Sequence, residues 1–297
     1  VAGTRATVGF VGLGSMGGAL AANLVAAGFD VVAHDAAGPD RVPAGAAGAA
    51  DVAEVAGRAD TVVCSLPDGA ASEQVAGEIV ALAGRRAAHV VDTSTVGVAA
   101  ARRIAARLAG AGVGYVDAPV SGGVAGARAR TITVMFAGSA ADCAAVTPVL
   151  AGLSDRRVRV GDEPGLAQAL KLANNFLSAT ALAATSEAIA FGTAAGLDPV
   201  TMLEALNGAS GRSSATGDKF PNHVLTGRYA AGFTNSLMAK DVALYLAAVR
   251  ERDGAVGDSD NSRNSRIGSV TAAVWERFAV VDPGVDFTRI YPFVKGT

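Results

Sequence analysis

The sequence predicts an α/β domain built on a doubly wound parallel sheet, followed by an all-α domain. Three observations carry the prediction. Short apolar runs alternate with Ala-rich helical stretches through the first half, strand candidates stop near Gly161, and a long helical run opens the second half. The chain has 297 residues, 51% of them hydrophobic and 18% charged, enough to bury a core in each of two domains and too apolar for bulk disorder.

The strand candidates are Thr7–Val11, Val31–His34, Thr61–Ser65, His89–Asp92, Gly114–Asp117 and Ile132–Ala137, with Val158–Val160 as a short closing strand. Several are continuous apolar runs, as expected of strands covered on both faces, and the intervening segments are long enough for crossover helices. Past Gly161 the pattern changes. Asp162 reads as a helix N-cap with Pro164 in the first turn, and the helix runs from about Leu166 to Ala195, where Gly196 stops it. Asp198-Pro199 reads as cap and first turn of the next helix, which continues through Val200–Leu206. Further helices are predicted at Ser236–Arg252 and Arg266–Phe278, with the polar stretch Asp258–Arg266 as a solvated loop. The expected domains are residues 1–163 and 164–297.

Composition narrows the function classes. Lys plus Arg (25) nearly balances Asp plus Glu (27), which argues against a nucleic-acid partner. The two cysteines, Cys64 and Cys143, make no disulfide scaffold and fit a reducing compartment. His34, His89 and His223 are scattered, and no metal site is expected. No apolar run reaches the roughly 18 residues of a membrane span, and the first residues do not read as a secretory signal. The expectation is a cytoplasmic protein with no membrane partner.

The first chemical motif is Gly12-Leu13-Gly14-Ser15-Met16-Gly17, a G-x-G-x-x-G between a strand and a helix. The first Gly permits the tight turn, the second lets a pyrophosphate approach the backbone, and the third lets helix and strand pack closely. The helix N-terminus presents N–H groups to the phosphates. The first domain is therefore read as a Rossmann-type dinucleotide-binding domain. Asp35 ends the second strand, roughly 20 residues beyond Gly12, where an acidic residue binds the adenosine ribose and repels a 2′-phosphate. Ala36-Ala37 follow with no Arg, favouring NAD, with NADP as the alternative because Arg41 lies within reach.

Three further segments stand out: Asp117-Ala118-Pro119-Val120-Ser121-Gly122-Gly123, Lys171-Leu172-Ala173-Asn174-Asn175 and Leu237-Met238-Ala239-Lys240-Asp241. The first ends a strand in small residues whose amides, with the Ser121 hydroxyl, can clasp a carboxylate. In the second, Lys171 and Asn175 share a helix face one turn apart, in an almost uncharged run. Burial there would depress the lysine pKa and let it exchange a proton with a hydroxyl.

With the glycine loop, these segments resemble the β-hydroxyacid dehydrogenase family in order and over most of the chain, from Val8 to about Ala247. The resemblance is nearest to the 3-hydroxyisobutyrate dehydrogenases, with Val124 and Ser210-Gly211-Arg212-Ser213 as softer cues. It implies a Rossmann-type domain and an all-α domain joined by a long interdomain helix, and hydride transfer between NAD and a short 3-hydroxy acid. Lys171 is then the general acid/base, Ser121, Gly122 and Gly123 hold the substrate carboxylate, and Asn175 bonds the substrate. Leu66-Pro67 wall the cofactor, Thr95 lies beside the nicotinamide, Lys240 reaches the cofactor end of the site, and Asp241 is a structural partner. A homodimer or homotetramer is implied.

The sequence departs from the family pattern at Gly97, where Pro is frequent, and at Ala167, where Gly usually precedes Gln168. The tail Val285–Thr297 is expected to close over a partner subunit or the active-site cleft. The competing readings are an imine reductase-like enzyme, disfavoured by Lys171, and a non-catalytic NAD(P)-binding homologue.

Overall fold

The computed structural model describes residues 6–256 and 265–296, without the side chains of 253–256. The chain forms two compact units, Val1–Lys171 and Leu172–Thr297. In chain order the first comprises β1 (Thr7–Val11), α1 (Ser15–Ala26), β2 (Asp30–His34), β3 (Ala47–Gly48), α2 (Val52–Arg58), β4 (Thr61–Cys64), α3 (Gly69–Ala81), β5 (His89–Asp92), α4 (Val98–Ala109), β6 (Gly114–Asp117), β7 (Val120–Ser121), α5 (Gly123–Arg128), β8 (Thr133–Ala137), α6 (Ala140–Leu153) and β9 (Arg156–Gly161). Helix α7 (Leu166–Ala194) contains the boundary between the units. It is followed by α8 (Pro199–Asn207), a π-helix at Ala215–Val224, α9 (Asn235–Val256), α10 (Arg266–Val281), a 3₁₀ turn at Phe287–Arg289 and α11 (Ile290–Lys295).

Among the described residues nine strands form one sheet in the order β3-β2-β1-β4-β5-β6-β8-β7, with β9 on β8. All pairs from β3 through β6 are parallel, in the strand order of a Rossmann fold. Strand β8 runs antiparallel to β6 and β7, so the sheet is mixed at one side rather than parallel throughout. The period-two alternation of each strand divides its apolar residues between two cores. Phe10, Val63 and Val91 pack with Leu20, Leu24 and Leu150 on one face, whereas Val11, Val62 and Val90 pack with Val55, Ile79 and Ile104 on the other. This two-sided cover is why the strands read as continuous apolar runs. The topological switch lies between β1 and β4, and the loops leaving their carboxyl ends carry the glycine motif and Ser65-Leu66.

The sequence expectations meet the structure closely at most strands, which shift by one or two residues at their ends. The two-residue strands β3 and β7 were too short to read. One cap differs. Asp162 does not cap α7 but pairs with Arg159, and the first-turn amide of Gln168 instead donates to the Asp117 carboxylate at 3.0 Å. The cap therefore comes from a strand end distant in sequence. At its other end α7 stops as expected, with Gly196 at φ +93°, and Asp198 caps α8 through the amide of Thr201.

The second unit is all helix around Trp275, Phe278, Phe220, Phe287 and Ile290. The Trp275 indole N–H donates to the Ala179 carbonyl, and Asn235 ties the start of α9 to the Phe278 and Asp282 carbonyls. The π-helix is marked by the Leu225 amide bonding back five residues to Phe220, which an apolar period does not announce. The first part of the C-terminal tail packs inside this unit. Phe287 and Ile290 are buried in this unit's own core, and Tyr291 meets Phe220 edge-on at 5.3 Å. Residues 258–264 of the expected polar loop lie outside the described residues.

Candidate active site

The glycine loop takes its shape from contacts a side chain would obstruct. Gly12 has φ +92°, and a Cβ there would lie 2.4 Å from the Ser65 carbonyl and 3.0 Å from the Leu66 side chain. At Gly17 a Cβ would lie 2.0 Å from the Gly12 carbonyl, so α1 sits directly on the turn. At Gly14 nothing lies within 4 Å. The first and third glycines thus close the turn while the second leaves an open approach to the N-terminus of α1, where N–H groups favour an anion. A dinucleotide pyrophosphate fits this cradle. A groove of about 640 Å³ runs past Leu13, Gly14, Ser15 and Gly18 to Arg41 and Arg128.

Asp35 sits at the end of β2 with both carboxylate oxygens engaged. Oδ2 accepts from the Leu13 amide at 2.5 Å; Oδ1 accepts from the Ala37 amide at 2.8 Å and pairs with Arg41 at 3.2 Å. Burial opposes its charge, but the two amides and the guanidinium together outweigh that and hold the carboxyl below its ordinary range. Asp35 therefore also braces the glycine loop.

The next strand ends are joined by a buried polar chain. The Leu66 amide donates to the Ser94 hydroxyl at 2.8 Å, the Ser94 amide to Asp92 at 3.0 Å, and the Thr93 hydroxyl to the Cys64 carbonyl at 2.7 Å. Thr95 follows, half-buried. Gln168, fully buried, accepts from the Val96 and Gly97 amides at 3.0 and 3.2 Å and donates to the Ser94 carbonyl at 3.0 Å. Ala167 beside it packs on Met135, Ala137 and Val160. Burial raises the Asp92 carboxyl and pushes that of Asp117 up to about 6, against the donors that favour its charge. Burial likewise raises the Tyr115 phenol and the Cys64 thiol well above their ordinary values.

Ser121 lies in β7, half-buried, opposite Thr133 of β8. Gly122 and Gly123 turn the chain into α5 with φ +134° and +68°. Lys171, 7% exposed, is one turn beyond Gln168. One turn further on the same helix is Asn175, also buried; its side-chain amide donates to Asp241 at 2.6 Å and its carbonyl accepts from Asn174 at 3.1 Å. Lys240 pairs with the other oxygen of Asp241 at 3.3 Å.

A family model described as the NAD binding domain of 6-phosphogluconate dehydrogenase matches residues 7–161. A second, described as the NAD-binding of NADP-dependent 3-hydroxyisobutyrate dehydrogenase, matches residues 165–257.

The chain belongs to the β-hydroxyacid dehydrogenase family.

The dehydrogenase is 33% identical over 305 residues to 3-hydroxyisobutyrate dehydrogenase of Pseudomonas aeruginosa, covering 97% of this chain and 98% of the relative. It is 36% identical over 250 residues to 2-(hydroxymethyl)glutarate dehydrogenase of Eubacterium barkeri, covering 82% of each chain. A solved structure of Mycobacterium tuberculosis 3-hydroxyisobutyrate dehydrogenase with L-serine superposes with a TM-score of 0.87 at 29% identity, covering 98% of this chain and 99% of that one. The chain is thus an NAD(P)-dependent oxidoreductase acting on CH–OH groups.

Within the first unit of the dehydrogenase, the glycine loop, Asp35 and Leu66 come together around the switch point, and Ser94 links Leu66 to the loop bearing Thr95. Within the second, Asn175, Lys240 and Asp241 form one cluster. The hydrogen-bond network of Gln168 with Asp117 and Ser94 was not expected from the sequence. The one available signal was a lone amide side chain in the apolar first turns before Lys171.

Proposed function

We propose that this dehydrogenase interconverts a short 3-hydroxy acid and the corresponding aldehyde or keto acid, with NAD as the hydride carrier and a 3-hydroxyisobutyrate-like substrate. The observation that carries the reading is a buried lysine, Lys171, one turn before a buried asparagine, Asn175, in a chain similar from end to end to 3-hydroxyisobutyrate dehydrogenase. NAD, when bound, accepts the hydride from the carbinol carbon. Lys171 takes the hydroxyl proton as the carbonyl forms and returns it in reduction. Asn175, oriented by Asp241, bonds the substrate, and Lys240 completes that cluster toward the cofactor. Ser121, Gly122 and Gly123 hold the carboxylate. Gly12 to Gly17 hold the pyrophosphate, Leu66-Pro67 and Thr95 flank the nicotinamide, and Asp35 takes the ribose hydroxyls and disfavours a 2′-phosphate.

The test is initial rates with NAD and NADP over a panel of 3-hydroxyisobutyrate, 3-hydroxypropionate, serine, glycerate, threonate, 4-hydroxybutyrate and sulfonate analogues. We expect turnover with NAD and a loss of about 10²–10⁴ in kcat for Lys171→Ala with NADH binding retained. Full rate in that variant would overturn the role of Lys171; a preference for NADP would overturn that of Asp35 alone.

The reading includes a homodimer or homotetramer. The helical unit exposes Leu177, Phe191, Leu197 and Val200 together with Val280 and Val281, apolar surface that a second copy would cover.

A further inference from the structure

We propose that Gln168 is a positioning residue: it clamps the loop bearing Thr95 to the first turns of α7, and so sets the place of Lys171 relative to the nicotinamide wall. The inference rests on the assignment of Lys171 and the dinucleotide above.

The geometry is specific. The side chain of Gln168 meets three consecutive parts of one loop, accepting from the Val96 and Gly97 amides and donating to the Ser94 carbonyl, at 3.0–3.2 Å and fully buried. These bonds straddle Thr95. The Ser94 hydroxyl extends the chain to the Leu66 amide, and the backbone amide of Gln168 is fixed by Asp117. The side chain thus ties the loop after β5 to the helix on which Lys171 follows one turn later, the backbone amide of the same residue adds the end of β6, and Ser94 extends the link to the end of β4. Gln is the residue the site requires, because the loop offers two donors and one acceptor together and a carboxylate or an alkyl group cannot match both kinds. A helix start held this way has a fixed axial position, and hydride and proton transfer depend steeply on such placement.

Two variants test this. In Gln168→Leu we expect kcat to fall at least tenfold while the Kd for NADH, read by fluorescence titration, changes less than threefold. Hydrogen exchange of the cofactor-free protein should rise together in 93–98 and in 166–171. In Gln168→Glu the carboxylate keeps the two acceptor contacts and faces the Ser94 carbonyl; once protonated, it donates to that carbonyl again. The titratable groups of the same network are Asp117, which accepts from the backbone amide of residue 168, and Asp92, which accepts from the Ser94 amide and the Tyr115 hydroxyl, with Lys171 one turn on along the helix. We expect the ratio of Gln168→Glu to wild-type kcat to climb at least fivefold from pH 8 to pH 6.

An unchanged kcat in Gln168→Leu, a flat ratio in Gln168→Glu, or exchange rising in only one of the two segments overturns the clamp. Exchange and NADH titration need no substrate, so they decide it even where the hydroxy acids fail to turn over. Retained rate in Lys171→Ala overturns the Lys171 assignment and leaves these arms readable.

Discussion

Asp35 and Asp117 are both carboxylates at strand ends, yet their surroundings drive them in opposite directions. Asp35 has two amides and a guanidinium on its oxygens. Asp35→Asn keeps the size but turns an NH₂ group toward one of those amides, so the glycine loop loses a charged acceptor. We expect NADH affinity to fall about tenfold, or about 1.4 kcal/mol, in a fluorescence titration. Asp117 is raised to about 6 by burial, so the folded protein binds more protons than the unfolded chain between about pH 4 and pH 6. Its contribution to stability therefore falls as pH rises through that window. Asp117→Asn still offers an oxygen to the Gln168 amide and carries no charge to bury. Relative to wild type it should gain up to about 3 kcal/mol between pH 4 and pH 7, measured by urea unfolding at the two pH values. Neither network was readable in the sequence. Asp117 meets Gln168 across 51 positions, and Gln168 meets Val96 across 72, so the pairing exists only once the sheet order is known.

Elements were the most legible level. The central strands announce themselves because both faces are covered, and the ends of α7 and α8 were marked by Gly196 and Asp198. What escaped had no local pattern: the tertiary cap of α7, the π-helix with Pro221 inside it, and the antiparallel return of β8. The turn between β1 and α1 shows how one motif holds two kinds of constraint. Gly17→Ala forces a methyl onto the Gly12 carbonyl, and we expect about 2–3 kcal/mol of destabilisation, seen as a lower Tm. Gly14 has φ −60°, which alanine adopts freely, and open space beyond. Gly14→Ala should keep the wild-type Tm while NADH affinity drops at least tenfold. Equal melting losses in both variants would count against a division of labour between fold and ligand.

For the whole molecule, the class of chemistry was legible because four ordered motifs lie on the right elements, whereas the assembly was not, because apolar residues on a helix read the same whether they face a core or another subunit. Leu177 and Phe191 of α7 are 66% and 77% exposed in the chain alone. We expect a dimer or tetramer by sedimentation velocity, and a shift toward monomer in the double variant Leu177→Ser, Phe191→Ser with NADH binding intact. A wild-type monomer would remove the assembly from the proposal. The tail of the chain adds a constraint on biogenesis. Phe287, Thr288 and Ile290 are buried inside the helical unit, so that unit lacks part of its interior until residues 287–290 have been synthesised. The sheet unit has every strand in hand by Gly161. Synthesis in the N-to-C direction thus delivers every strand of the nucleotide-binding half before the helical half has its full interior, and a chain cut before Phe287 would leave an apolar hollow in that interior.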